Sequence, residues 1–289
     1  MKNSKTEAWA VALLALLSLS SCEKMVIDEE ENLQDTDANV IIRTSLYNIV
    51  PFDTRAVENI EDVCSHLCIA FFQNDTKVKD VRQASGDEGY GEVAVTLEPG
   101  TYQLLVLAHS SQGNPTITDP TAIQFTNSLT YSDTFCYYGD LEVTNTTATH
   151  EIKLKRATTL LRLNLTDDKP SNVKYIRIEY TGGSGVLNTV TGRGGTVNSK
   201  QIVLFDVADK NPIPALYLYT FLQSETASLN VTIQAKDDSY VLTEKTLSNV
   251  PMKEYMMTEY TGSLFSNSSE DTFSFTAETG WEVYHQGGF

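Results

Sequence analysis

The stretch `GEVAVTLEPGTYQLLVLAHS` (91–110) narrows the choice of fold more than any other part of this chain. Val93, Val95 and Leu97 recur at every second position, then Pro99-Gly100 interrupts, then Tyr102, Leu104 and Val106 resume the alternation. A period of two places one side-chain set on one face of a half-buried strand and cannot serve a helix. The Pro-Gly pair reads as a turn, with proline fixing φ and glycine accepting positive φ, so the stretch predicts a β-hairpin.

The same signal repeats along the chain. `NVIIRTSLYNI` (39–49), `HLCIAFFQ` (66–73), `THEIKLKR` (149–156), `TTLLRLNLT` (158–166), `VKYIRIEY` (173–180), `QIVLFDV` (201–207), `ALYLYTFL` (215–222), `SLNVTIQA` (228–235) and `SYVLTEKTL` (239–247) all read as strands. Only 56–65 argues otherwise, because Val57, Ile60, Val63/Cys64 and Leu67 fall at helical spacing. Many short strands divided by Gly/Asp/Asn/Ser clusters predict an all-β, sandwich-type architecture. Their number exceeds one small sandwich. The run `ATHEIKLKRATTLLRLNLTDDKP` sets two strands almost back to back, so the division is placed there: an N-terminal sandwich over 39–155 and a C-terminal one over 156–289, closely coupled by the short crossing.

Ahead of the strands, Lys2 and Lys5 precede an apolar run, Ala8 to Leu19, that ends in Ser20, Ser21 and Cys22. About a dozen apolar residues are too few for the roughly 20 that cross a bilayer. Basic start, short apolar core and small-residue exit describe an export signal, residues 1–21. `LSSC` resembles a bacterial lipobox, in which the cysteine is lipidated and becomes the mature N-terminus, so Cys22 is the expected lipidation site. An ordinary secretory signal that happens to hold a cysteine is the plainer alternative. Residues 22–38 are acidic, with Asp28, Glu29, Glu30 and Glu31 in a row, and carry almost no apolar pattern, which predicts a tether.

The formal net charge is −17. Such a balance excludes a nucleic-acid footprint, which is basic, and excludes electrostatic adhesion to anionic lipid, so lipid on Cys22 would have to hold the chain at a membrane.

Several elements together resemble the fimbrial anchor and fimbrillin lipoproteins of Bacteroidales, the FimB-like group of type V fimbriae. They are the lipobox with its acidic tether, the strand ending in `AFFQND`, the stretch `VAVTLEPGTYQLLVLA`, and the crossing `EIKLKRATTLLRLNL`. The resemblance implies two tandem transthyretin-like β-sandwich domains and no enzymatic activity. It implies a lipid-anchored, surface-exposed position on the outer membrane and fimbrial subunits as partners, joined by β-strand complementation. A shaft subunit of such a fimbrium would lose its N-terminal strand by cleavage, for which Arg43 and Arg55 are the early basic sites. Shaft and tip roles stand as alternatives to anchor.

Chemistry is hard to find. Cys64-Ser-His66-Leu-Cys68 is the one compact ligand-like cluster; a strand would put 64, 66 and 68 on one face, as zinc would need, but no fourth ligand is evident. Thiols packed as small apolar residues, or a disulfide among Cys64, Cys68 and Cys136, are the other readings. His66, His109, His150 and His285 are scattered, with no HExxH; there is no GxSxG. The glycine-rich `TGGSGVLNTVTGRGGT` (181–196) lacks phosphate-loop spacing and reads as a long mobile loop. No cofactor is expected. Tyr137, Tyr138, Trp281, Tyr284 and Phe289 stand beside glycines and read as buried strand residues, or as contacts for a host protein or glycan, which keeps a surface glycan-binding lipoprotein as the competing function. Phe273 and Phe275 alternate as groove-filling residues do, so 271–286, with Trp281 and Tyr284, is the candidate partner strand, alongside 39–49.

Overall fold

The computed structural model describes residues 37–47, 60–125, 132–195, 200–266 and 282–289. Its elements are β1 (Val40–Leu46), α1 (Ile60–Val63), β2 (His66–Gln73), β3 (Thr76–Ala84), β4 (Glu92–Val95), β5 (Gly100–His109), β6 (Ile123–Gln124), β7 (Thr134–Val143) and β8 (Ala148–Arg156). They continue with β9 (Thr159–Leu165), β10 (Tyr175–Thr181), β11 (Val186–Asn188), β12 (Arg193–Gly194), β13 (Gln201–Asp206), β14 (Leu216–Thr220), β15 (Thr226–Lys236), β16 (Val241–Lys253), β17 (Met256–Gly262) and β18 (Glu282–Gly288). The chain is mostly β. Among the described residues no helix is long and apolar enough to cross a membrane.

The first eight strands, except β6, form one sheet in the order β3-β2-β5-β7-β8-β1-β4. β7 and β8 pair only through Phe135↔Arg156 and Cys136↔Lys155. The sheet therefore turns a corner at β8, and its two wings close on a core that includes Val40, Ile42, Leu67, Ile69, Phe71, Val93, Val95, Leu104, Val106 and Leu154. Two further sheets, β13-β10-β15-β16 and β14-β9-β17-β18, enclose a second core around Leu161, Leu163, Ile176, Ile178, Val231, Ile233 and Met252. A third cluster mixes residues from both sequence halves, among them Cys68, Phe72, Leu107, Ile123, Phe125, Cys136, Leu187 and Phe221.

Nine runs read as strands lie on β1, β2, β8, β9, β10, β13, β14, β15 and β16; of the helical stretch 56–65, residues 56–59 lie outside the described residues and the rest holds the single turn α1. The hairpin is a correction. β4 pairs with β1, whereas β5 pairs with β2 and β7. Val93, Val95, Leu97, Tyr102, Leu104 and Val106 do share one core, but they reach it from opposite wings. Alternation states which face is buried; it does not state which strand lies alongside. Gly100 has φ 159°, nearly extended, so the Pro-Gly pair forms an arch between wings and no tight turn. The Tyr102 hydroxyl donates to the Glu98 carbonyl at 2.8 Å and holds that arch.

The glycine-rich run is also corrected. Its described part forms the end of β10, then β11 and β12, and pairs with β6. Ser184 bridges Phe221, and Gly183, Ser184 and Gly185 are buried. A Cβ on Gly183 would collide with the Thr220 side chain, so glycine here serves close approach.

Candidate functional site

β1 is the first strand of the described fold, directly after the acidic 22–38 segment. β1 lies between two neighbours. It runs parallel to β8 through seven register pairs, Val40↔Ala148 to Leu46↔Leu154, and antiparallel to β4 through four, Val40↔Val95 to Arg43↔Glu92. Val40, Ile42 and Leu46 are buried in the first core. The strand follows its own sequence: β-branched Val40, Ile41 and Ile42 suit a pleated, buried surface, and the alternation sends Arg43 outward.

Asn39 fixes the upstream end. Its Nδ2 donates to the carbonyls of Leu97 and Thr144, each at 2.9 Å, and its Oδ1 accepts from the Leu97 N–H at 3.0 Å. The two Leu97 groups are ones that a 91–110 hairpin would have used itself. Arg43 donates to Glu92 at 2.6 Å and reaches Glu151 at 3.7 Å. All three of these side chains are exposed, so the pairs add little stability.

At the downstream end, β8 leaves its sheet through Ala157 and Thr158 into β9. Arg156 Nε donates to both oxygens of Asp133 at 3.0 Å, and Thr158 Oγ1 donates to Oδ1 at 2.8 Å. The Arg156 guanidinium also lies 5.1 Å from the Phe135 ring centroid. Burial pushes the Asp133 carboxyl up, and Arg156 and Thr158 oppose that by stabilising the carboxylate. Sequence reasoning missed Asn39 and Asp133. Their partners are 58 and 105 residues away for Asn39, and 23 and 25 for Asp133, and no local pattern announces such pairings.

The C-terminal candidate strand is only partly described. Phe273, Phe275 and Trp281 lie outside the described residues, as do Cys22, the 22–36 part of the tether and Arg55. Tyr284 lies on β18, which runs parallel to β17 at the edge of its sheet. Gln286 donates to Glu259 at 3.3 Å, and Phe289 packs against the second core beneath Lys245.

The Cys/His cluster does not converge. Cys64 ends α1, with its N–H on the Ile60 carbonyl, and packs into the first core. Cys68 belongs to the third cluster on the other side of the sheet. Cys136 joins that cluster, but β5 stands between, since Cys68 and Cys136 both register with Leu107. Two strand spacings, about 9.5 Å, exceed what a disulfide spans. All three are free thiols; burial pushes Cys68 and Cys136 up to about 12 and Cys64 higher still. His66 and His109 stack with rings 5.1 Å apart and nearly parallel. That geometry presents ring faces to one another and does not aim two nitrogens at one ion. Among the described residues no group of three metal-ligating side chains comes together. Tyr137 and Tyr138 are half-buried neighbours on β7, one against the first core and one against the third cluster.

The family described as fimbrillin-A associated anchor proteins Mfa1 and Mfa2 matches residues 33–287. The chain belongs to that family. The match takes in the strand scaffold from before β1 to within β18, in agreement with the resemblance read from the lipobox, the 91–110 stretch and the 149–166 crossing. Solved structures similar to this Mfa2-family chain include the fimbrial anchor protein Mfa2 from Porphyromonas gingivalis, at 12% identity and TM-score 0.40, covering 73% of this chain and 82% of that one. A candidate adhesin from Bacteroides thetaiotaomicron is similar at 12% identity and TM-score 0.44, covering 72% and 79%. A candidate cell adhesion protein from Bacteroides fragilis is similar at 10% and 0.41, covering 84% and 99%. No curated protein matches the sequence.

Proposed function

We propose that this chain is the membrane-end subunit of a fimbrium: a non-enzymatic lipoprotein, held to the outer membrane at the cell surface through lipid on Cys22, on which fimbrial subunits assemble by β-strand complementation. Its body is two tandem transthyretin-like sandwiches, 39–155 and 156–289, carried on the 22–38 tether. The observation that supports the anchor role over a shaft role is the seat of β1. A shaft subunit gives up its N-terminal strand, whereas here that strand is interior, paired on both sides, with Arg43 engaged by Glu92 and Glu151. A partner strand then adds elsewhere, and the 271–286 segment with Phe273, Phe275, Trp281 and Tyr284 remains the candidate. Main-chain pairing with apolar side chains seated in a groove makes such a joint slow to dissociate and insensitive to salt.

Two measurements test this. Cys22→Ser is expected to leave the membrane fraction; retention through a high-salt wash sinks the anchoring role. Fimbrial subunits are expected to co-purify with the full chain after that wash, and to be lost with a chain ending at Asn267. Sugar-competed binding that disappears with Trp281→Ala and survives truncation would instead establish the glycan-binding function.

A further inference from the structure

We propose that the parallel ladder between β1 and β8 is a shear clamp, a mechanical element that carries tension from the tether into the rest of the molecule; the source of that tension rests on the anchoring role above.

The load path is directional. β1 and β8 run parallel, so Val40 lies beside Ala148 and Leu46 beside Leu154. A load from the tether enters at the Val40 end and pulls β1 backwards along its own axis. The chain leaves β8 at the opposite end, after Arg156. Any load borne by residues beyond 158 therefore pulls β8 forwards. Two strands pulled lengthwise in opposite directions share the load across all their cross-strand bonds at once. Strands pulled from the same end open one bond at a time. The antiparallel neighbour β4 cannot substitute: its C-terminal end, Val95, lies beside Val40, so a load leaving β4 there would peel the pair from one end.

Both ends of the ladder are reinforced. At the upstream end, Asn39 ties the chain to Leu97 and Thr144, its own carbonyl accepts from the Ala148 N–H at 3.0 Å, and Thr147 Oγ1 donates to the Ala38 carbonyl at 3.1 Å. At the downstream end, Tyr47 N–H donates to the Leu154 carbonyl at 2.7 Å. Beyond it, Arg156, Ala157 and Thr158 are each bonded to Asp133 or Thr134, which lead into β7. Tension leaving β8 is thus handed to β7, which registers with β5 over ten pairs. Along β1 the amides alternate in direction. Thr44 N–H goes to Gly91 beside β4, and Tyr47 N–H goes to β8, so Ser45 N–H is aimed at β8.

The test is single-molecule force spectroscopy on the chain from residue 22, carrying Cys22→Ser, with one handle at the N-terminus. The second handle sits at exposed Asn172, which loads the ladder lengthwise, or at exposed Asn145, which peels it from one end. Folding stability is the same in both, so only geometry differs. Forced unfolding follows the unfolding rate, and the Asn172 geometry is expected to rupture at roughly threefold or greater force. Equal forces, or a stronger Asn145 geometry, overturn the clamp. Within the Asn172 geometry, Ser45→Pro is expected to lower the rupture force by roughly half by removing one β8-directed donor, and Thr44→Pro by less. Equal losses overturn the assignment to β8; should either variant fail to fold, the comparison of handle positions decides alone. Cys22→Ser that stays with membranes sinks the anchoring role and leaves these forces unchanged, whereas equal forces sink only the clamp.

Discussion

β1 and β18 are the two terminal strands of the described fold, and they are seated differently. β1 has a partner on each side, buried residues at positions 40, 42 and 46, and an unbroken parallel register. Among the described residues β18 has one partner, β17, and its register slips between Met257 and Thr258. Both are parallel to a neighbour, so parallel pairing by itself does not make a terminal strand permanent. What separates them is enclosure. Removing β1 would open the first core and strand the β4 edge; removing β18 would bare one side of β17 and uncover the part of the second core beneath Phe289.

The largest effect should come from breaking the enclosed strand. Ile42 is fully buried, and Ile42→Asp places a carboxylate within the first apolar core. The expected loss is roughly 3–5 kcal/mol, enough to unfold a marginally stable domain. Urea denaturation followed by far-UV circular dichroism checks it. A chain ending at Asn267, which lacks β18, should instead keep a cooperative transition; if it unfolds as completely as Ile42→Asp, the two ends are equally enclosed and the contrast fails.

A second effect locates acid sensitivity. His109 on β5 is fully buried, takes the Ser111 N–H on Nδ1 at 3.2 Å, and packs edge-on against Phe125. Burial lowers its pKa from 6.5 to about 4, with His66 and Arg82 adding like charge and Asn114 opposing. The neutral ring is the one the fold accepts. The unfolded chain therefore binds the proton more readily between about pH 4 and 6.5. This contribution is complete above 6.5 and is lost as the pH falls towards 4, by roughly 2–4 kcal/mol. His109→Gln should flatten the slope of urea midpoint against pH across that window. An unchanged slope would place the acid sensitivity on other groups.

β7, with Phe135, Leu141 and Val143 buried, is not among the strands read from the sequence; strand positions were legible where apolar residues alternate or run unbroken, as in β2, β8 and β9. β3 was not. Its Lys77, Lys79, Asp80 and Arg82 spread charge along an edge strand, where no buried face imposes alternation. β17 hid for the opposite reason, as Thr258 and Glu259 are buried polar residues in a central strand. Neighbours were the least legible feature. The pairing of β1 with β8 joins residues over a hundred positions apart, and the glycines of 181–196 looked like slack until Thr220 and Phe221 gave them something to pack against. Of the candidate site, Arg43 was visible as a basic residue on a strand; that it faces Glu92 and Glu151 depends on which strands flank β1.

A smaller effect probes the exposed end. A Cβ on Gly262 would run into the backbone of Phe289, whose N–H donates to Thr261 and whose carbonyl accepts from Ser263. Gly262→Ala should displace the end of β18 at a cost of about 1–3 kcal/mol, typical of overpacking. Hydrogen exchange should quicken at β18 amides and stay unchanged at β1. Equal quickening at both would show that the two strands open together.

The smallest effect should come from Arg43. Its guanidinium is paired with Glu92 and Glu151, but at 51% side-chain exposure water and salt screen both contacts, so Arg43→Gln should leave the urea midpoint where it is. The position matters for a different reason. Trypsin needs an extended, accessible backbone around the bond it cuts, and here residues 42–45 register with β8, with Ile42 and Arg43 also paired to β4 and Thr44 bonded to Gly91. Cleavage after Arg43 should therefore be limited by opening of the fold, and its rate in the native protein should fall in step with added stability. Digestion with N-terminal sequencing of the products decides this. Slow cutting at Arg43 that accelerates sharply in Ile42→Ala marks an enclosed strand that a protease does not release. Rapid cutting at Arg43 in the native protein, with the rest of the fold intact, would make β1 as detachable as β18 and return the chain to the shaft role.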